Sequence, residues 1–146
     1  RTVRLKNGFI ITCTGFEKDD SGNISLVRCK YYPESRSGQD NSGIKAKGVL
    51  SWVSAAQSVQ AEVKLYDRLF KSENPATADD FLQELNPDSL TTLTNARLEP
   101  AVRSLAIGET VQFERLGYFT VDSNTEDDHL IFNRTVTLRD NWGSKK

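Results

Sequence analysis

Blocks rich in Val, Ile, Leu, Phe and Thr recur along this chain, each closed by a turn signal, and a single segment carries helical spacing. That pattern constrains the fold more than any other feature of the sequence. Val3 to Phe16 has strand composition, Asp19-Asp20-Ser21-Gly22-Asn23 is a turn cluster, and Ile24 to Tyr32 reads as the return strand. Lys45 to Ser54, Ala61 to Leu69, Leu90 to Leu98, Thr110 to Asp122 (with a bend at Gly117) and Leu130 to Arg139 read as further strands. The helical exception follows Asn74-Pro75. Thr77-Ala78-Asp79-Asp80 has the outline of a capping box with Asp in place of Glu or Gln, and Phe81, Leu82 and Leu85 keep helical spacing. The spacing predicts one short helix near 78–85, ending before Pro87 because the residue preceding proline disfavours helix. A parallel sheet needs crossover connections, usually helices, and only one helical segment is available. The expected fold is therefore all-β, an antiparallel barrel or sandwich.

At 146 residues the chain has room for one domain or two small barrels. Charged residues make up 27% and hydrophobic ones 37%, a globular balance. No apolar run reaches the roughly 20 residues of a membrane helix. The chain begins at Arg1 and contains no Met, which reads as a cut inside a longer protein; Gly143 to Lys146 reads as a tail with little reason to be ordered. Pro33 to Gly43 is polar and is expected to be a mobile loop and a boundary. The net charge of −1 argues against a protein that coats nucleic acid non-specifically. It is compatible with a domain that reads a few bases while backbone contacts come from elsewhere.

Catalytic signatures are missing from the sequence. No Gly-rich phosphate loop and no paired-histidine or Cys-x-x-Cys metal pattern occurs. His129, the single histidine, follows Glu126-Asp127-Asp128 and is expected to be solvated. The carboxylate pairs Asp19-Asp20, Asp79-Asp80 and Asp127-Asp128 fall in turns or at the expected helix start, where loop solvation and helix-dipole stabilisation account for them. Cys13 and Cys29 are expected to be free thiols and small buried hydrophobes, standing opposite one another if the hairpin loop has three residues.

Three clusters remain that suit RNA. Arg4 and Lys6 alternate with Val3 and Leu5, so they share an exposed strand face; two cations at that spacing suit a phosphate or a base edge, or are an ordinary solvated face. In Gln112-Phe113-Glu114-Arg115, Gln112 and Glu114 are expected on one side of a strand and Phe113 and Arg115 on the other. Gln offers a donor and an acceptor, Glu accepts from an amine or ring N–H, and Arg or aromatic planes stack on splayed bases. Arg134 falls on the face expected to point inward with Phe132, Val136 and Leu138, so it is either paired in the interior, with Asp67 or Glu114 as candidate carboxylates, or emerges at a barrel end.

Six ordered blocks then point further: Val3-Arg4-Leu5-Lys6-Asn7, Ser51 to Ala56, Leu65-Tyr66-Asp67-Arg68-Leu69-Phe70, Asn86-Pro87-Asp88-Ser89-Leu90, Gln112 to Phe119, and Phe132 to Asp140. Together, from about Val3 to Trp142, they resemble the C-terminal anticodon-binding region of glutaminyl-tRNA synthetases. Leu65 to Phe70 fits that family better than the eukaryote-type glutamyl enzymes, which share the architecture. The resemblance implies two β-barrels similar to ribosomal protein L25. Strands in 1–32 and 110–142 would belong to the proximal barrel or its junction, 45–100 would form the distal barrel, and 143–146 a disordered tail. It implies that Arg4 and Lys6 face the first anticodon base and nearby backbone, and that Gln112, Glu114 and Arg115 surround the middle base. Residues for the third base would lie upstream of Arg1. The implied partners are the anticodon loop of tRNA(Gln) and a catalytic domain of the same chain, in a cytoplasmic protein without a membrane. ATP, with Mg2+, would be used by that catalytic domain and no cofactor by this segment. Two departures stand out: Lys6 where relatives often carry Arg, which loses a bidentate fork, and Ser51 and Gln57 where relatives often carry His. The competing reading is a β-barrel protein-interaction module without RNA binding.

Overall fold

A computed structural model describes residues 1–138 of the chain. The expected tail 143–146, the stretch from Arg139 to Trp142 and the end of the last expected strand lie outside the described residues. Among the described residues nine strands form two sheets, and the chain divides into two compact units, Arg1–Trp52 and Val53 onward. The all-β expectation holds: the described residues contain strands and 3-10 turns and no α-helix.

In the first unit, β1 (Thr2–Leu5), β2 (Ile10–Lys18), β3 (Ile24–Tyr32) and β4 (Val49–Leu50) lie in the order β3-β2-β1-β4. The β2–β3 hairpin closes where the sequence placed its turn. Asp19 Oδ1 accepts from the N–H groups of Ser21 (3.0 Å) and Asn23 (2.9 Å), and Gly22 supplies the positive φ of 82°. An Asp that bonds its own downstream backbone stabilises such a turn locally. Ile10 is fully buried, and beside it Ser35, also fully buried, accepts from the Ile10 N–H (2.7 Å) and donates to the Tyr32 carbonyl (2.6 Å). The segment after β3 is therefore anchored by hydrogen bonds, where a mobile loop was expected. Cys13 and Cys29 are exposed, which corrects the expectation of buried cysteines: β3 is the edge strand, and most residues of β3 and of β2 past Thr12 are exposed.

In the second unit, β5 (Val59–Tyr66), β6 (Leu90–Leu98), β7 (Thr110–Phe113), β8 (Gly117–Val121) and β9 (Leu130–Val136) take the order β6-β5-β9-β8-β7. The period of two decides the core. Val59, Ala61 and Val63 of β5 are buried, as are Phe119 and Val121 of β8 and Leu130 and Phe132 of β9. Phe113 stacks on Phe119 at 4.5 Å between ring centroids and tilts against Phe132 at 5.4 Å. Asp122, 8% exposed, closes the polar edge of this core. Its carboxylate accepts from Asn124 N–H (2.8 Å), the Asn133 amide (2.6 Å) and Lys64 Nζ (3.4 Å). The hydrogen bond from the Asn124 backbone, then that from Asn133, with a lesser pull from Lys64, holds its carboxyl below the usual aspartate range.

Several expectations change. Each sheet contains one parallel pair, β1 with β4 and β5 with β9, and neither strand order closes into a barrel among the described residues. The parallel pairing of β5 with β9 needs no crossover helix, because β6, β7 and β8 occupy the connection. The strands from Thr110 onward share a sheet with β5 and β6. The helix near 78–85 is absent. Two 3-10 turns, Pro75–Thr77 and Phe81–Glu84, stand there instead. Thr77 donates its hydroxyl back to the Asn74 carbonyl (2.8 Å), and Asp80 caps Leu82 (3.0 Å), so the segment that starts at Asp80 has too little length before Pro87 to propagate an α-helix. The strand expected over 110–122 is a hairpin, and that over 45–54 shrinks to Val49–Leu50.

Candidate nucleic-acid interface

In the first unit, Arg4 sits in β1 opposite Ile10. Its guanidinium donates to the Ser35 carbonyl (2.6 Å) and Ser37 Oγ (3.3 Å) and forms an ion pair with Asp40. Only 21% of the side chain is exposed, so Arg4 is a tethered cation and not the open strand face that alternation suggested. Asp40 is itself organised: it accepts from the Ser42 hydroxyl (2.6 Å) and N–H (2.9 Å). Those two bonds from Ser42, with a smaller contribution from Arg4, lower its carboxyl below the usual range. Lys6 lies one residue past β1, in the turn, and is half-buried. Its N–H donates to Leu50 O (2.9 Å) and its carbonyl accepts from the Trp52 indole N–H (2.9 Å), so the backbone at this cation is pinned on both sides. Asn7, with φ 55°, completes the turn in a conformation Asn tolerates.

In the second unit, the structure brings Gln112, Glu114 and Arg115 together at one hairpin. Gln112 is exposed in β7, directly opposite Tyr118 of β8, which is 42% exposed. The strand then ends at Phe113, and Glu114, Arg115 and Leu116 form the connecting turn, with the Leu116 N–H donating to Phe113 O (2.9 Å). Arg115 takes φ 63°, the left-handed residue this turn requires. Glu114 and Arg115 thus sit at an exposed tip, and the expected alternation across a strand stops at Phe113, which goes into the core. Gly117 follows with φ 149°, and a Cβ there would lie 2.5 Å from Val136 O, so only glycine lets β8 approach β9 so closely.

Tyr118 escaped the sequence reading. The signal was available, since Tyr118 directly precedes the core residue Phe119 and so points to the opposite face of the sheet, but only the register shows it paired with Gln112. An amide beside a flat exposed ring can hydrogen-bond one edge of a base while the ring contacts its face. On the same face, the Thr110 and Thr120 hydroxyls lie 2.7 Å apart.

Arg134 lies in β9, opposite Phe119, half-buried. It donates to the Tyr66 carbonyl (3.1 Å), tying the end of β5 to β9; the partner observed is a carbonyl next to Asp67, where a carboxylate was expected. Val136 and Leu138 are 55% and 43% exposed, so the inward face expected of this strand ends near Arg134. His129 is exposed, with Nε2 3.5 Å from Glu62. No cluster of three His, Cys, Asp or Glu able to hold a metal ion occurs among the described residues, and no helix among them is long and apolar enough to cross a membrane.

The described residues form a mostly β protein that carries polar and aromatic side chains on an exposed hairpin. Residues 49–122, half of the chain and inclusive of that hairpin, match the family described as "tRNA synthetases class I (E and Q), anti-codon binding domain". The chain belongs to this family. Among curated relatives, the glutamine–tRNA ligase of Rhodopirellula baltica is 52% identical over 145 residues, 97% of this chain and 24% of the relative. The glutamine–tRNA ligase of Bordetella avium is 50% identical over 145 residues, 97% of this chain and 24% of the relative. That of Vibrio vulnificus is 47% identical over 141 residues, 96% of this chain and 25% of the relative. The chain thus spans about a quarter of the length of the curated relatives it matches.

Proposed function

We propose that this chain is the anticodon-reading part of a glutamine–tRNA ligase and binds the anticodon loop of tRNA(Gln). The observation that carries the reading is the exposed pairing of Gln112 with Tyr118, beside Glu114 and Arg115, within the segment matched by the family. The names of the relatives support glutamine over glutamate as the amino acid of the whole protein. In this reading the loop unstacks and the middle base enters the face of the β7–β8 hairpin. Gln112 bonds its edge, Glu114 accepts from a base N–H or amine, Arg115 supplies planar donors, and Tyr118 contacts the ring. Arg4 and Lys6 meet the first base and nearby backbone, Arg4 with its fork already oriented by Ser35 and Asp40. Pre-orientation lowers the side-chain entropy lost on binding. Arg134 acts in this reading as a support of the sheet beneath the hairpin.

Reading the anticodon contributes to the reaction by holding the tRNA in register. We assign the ATP-dependent attachment of glutamine, in the cytoplasm, to parts of the whole protein outside this chain.

Binding of anticodon stem-loops, each with one base substituted, to the full-length protein tests the reading. A good base-edge contact contributes about 1–3 kcal/mol. Gln112→Ala is expected to weaken cognate binding by that amount and to erase discrimination at the middle base while leaving it intact at the other two. Unchanged affinity and unchanged selectivity in that variant reject the role.

A further inference from the structure

The two cysteines are register partners in the β2–β3 ribbon, and the backbone hydrogen bonding decides what kind of partners they are. The Cys13 N–H donates to the Arg1 carbonyl at 3.2 Å, on the β1 side. In an antiparallel strand a residue's N–H and C=O point to the same side, so Cys13 turns both away from β3. Cys13 and Cys29 are therefore a non-hydrogen-bonded pair. At such positions the Cα atoms approach to about 4.5 Å and the side chains stand closer than at hydrogen-bonded positions. A disulfide spans Cα separations of about 4.4–6.8 Å, so the two sulfurs come into bonding range by side-chain rotation alone. Both cysteines are exposed and free. Cys13 Sγ lies 3.6 Å from Gly15 O, and the register slips between Cys13 and Gly15, a bulge that loosens the ribbon beside the pair. A bridge exposed on the surface of a hairpin belongs to the readily reduced kind.

We propose that Cys13 and Cys29 form a reversible oxidation site that takes a low-molecular-weight disulfide as its oxidant. One cysteine thiolate attacks a sulfur of the small disulfide, breaking its S–S bond, forming a mixed disulfide and releasing one small thiolate, which takes up the proton that the cysteine gave up. The second cysteine thiolate then attacks the protein sulfur of that mixed disulfide. The Cys13–Cys29 bond forms, the second small thiolate leaves, and it takes the second proton. Two protein thiols are oxidised and one small disulfide is reduced to two thiols. This site is independent of the RNA reading and uses none of its residues.

The test equilibrates the reduced full chain in buffers of fixed oxidised-to-reduced glutathione ratio, traps thiols with N-ethylmaleimide and maps peptides by mass spectrometry. As the ratio rises, the expected products are a 13–29 cross-linked peptide, a protein mass lower by two hydrogens and loss of alkylation at both cysteines, all reversed by dithiothreitol. Cys13→Ser should instead accumulate a glutathione adduct at Cys29, which the unaltered chain resolves internally. Two alkylated thiols at every ratio overturn the proposal. So does a stable double glutathione adduct, or cross-linking between chains only.

Discussion

Single residues carry the tightest constraints in this molecule. Gly117 has φ 149° and would place a Cβ 2.5 Å from Val136 O, a backbone atom that cannot rotate away. Gly117→Ala is expected to destabilise the second unit by about 1–3 kcal/mol, the usual cost of overpacking, and to loosen the Glu114–Leu116 turn. Urea unfolding followed by tryptophan-independent circular dichroism measures it; an unchanged midpoint contradicts the geometry. Asp122 acts through charge. Its folded carboxyl is held below the ordinary value, so the stability it contributes is present above the unfolded pKa of about 3.9 and is lost as pH falls through the lower folded value. Asp122→Ala leaves Lys64, Asn133 and the Asn124 N–H short of an acceptor, at a cost of about 1–3 kcal/mol near neutral pH. The gap between variant and unaltered protein should narrow as the pH drops beneath the ordinary aspartate range. A gap independent of pH would show that the carboxylate's charge contributes nothing.

At the scale of elements, the sheet of the second unit was legible where apolar residues keep a strict period of two. Val59, Ala61 and Val63 alternate with Gln60, Glu62 and Lys64, and the buried set follows that alternation. Phe132 is 1% exposed and meets Phe113, so Phe132→Ala should cost about 3–5 kcal/mol in thermal or denaturant unfolding; a loss below 1 kcal/mol would mean that the rings do not form the core. The segment from Asn74 to Pro87 was misread because helical spacing of Phe81, Leu82 and Leu85 is only three points of a pattern. Proline at each end and competing side-chain bonds from Thr77 and Asp80 outweigh so short a periodicity. Thr110 to Asp122 was misread because a three-residue turn in Glu114-Arg115-Leu116 has no Gly, Asn or Pro to announce it. Arg115 itself takes the positive φ, and the Gly that permits the hairpin comes one residue after the turn.

For the whole molecule, the net charge of −1 bears on how RNA is bound. If Arg4 and Lys6 meet the backbone and the hairpin reads a base, few phosphates are neutralised. The log–log salt dependence of stem-loop binding to this chain should then be shallow, about −0.7 for each single-strand phosphate contacted and near −1.4 for two. A slope several-fold steeper would point to a phosphate-dominated surface elsewhere. Hydrophobic exposure is also unequal. Ile10 is the only buried apolar residue of the first unit among the described residues, while Phe16, Ile24, Leu26, Val27 and Tyr31 of its hairpin are each more than 40% exposed.

Strand content, the Asp19–Asn23 turn, the absence of catalytic patterns and the residue types suited to a base edge were determined by the sequence alone, because each depends on neighbours within a few positions. Which strands share a sheet, that Arg4 is held by Ser35, Ser37 and Asp40, that Tyr118 stands opposite Gln112, and that Cys13 and Cys29 form a non-hydrogen-bonded pair were decided by the tertiary structure. Those facts depend on register and on contacts between residues far apart in the chain. A slip of one residue in pairing would reverse every one of these faces without altering any local pattern.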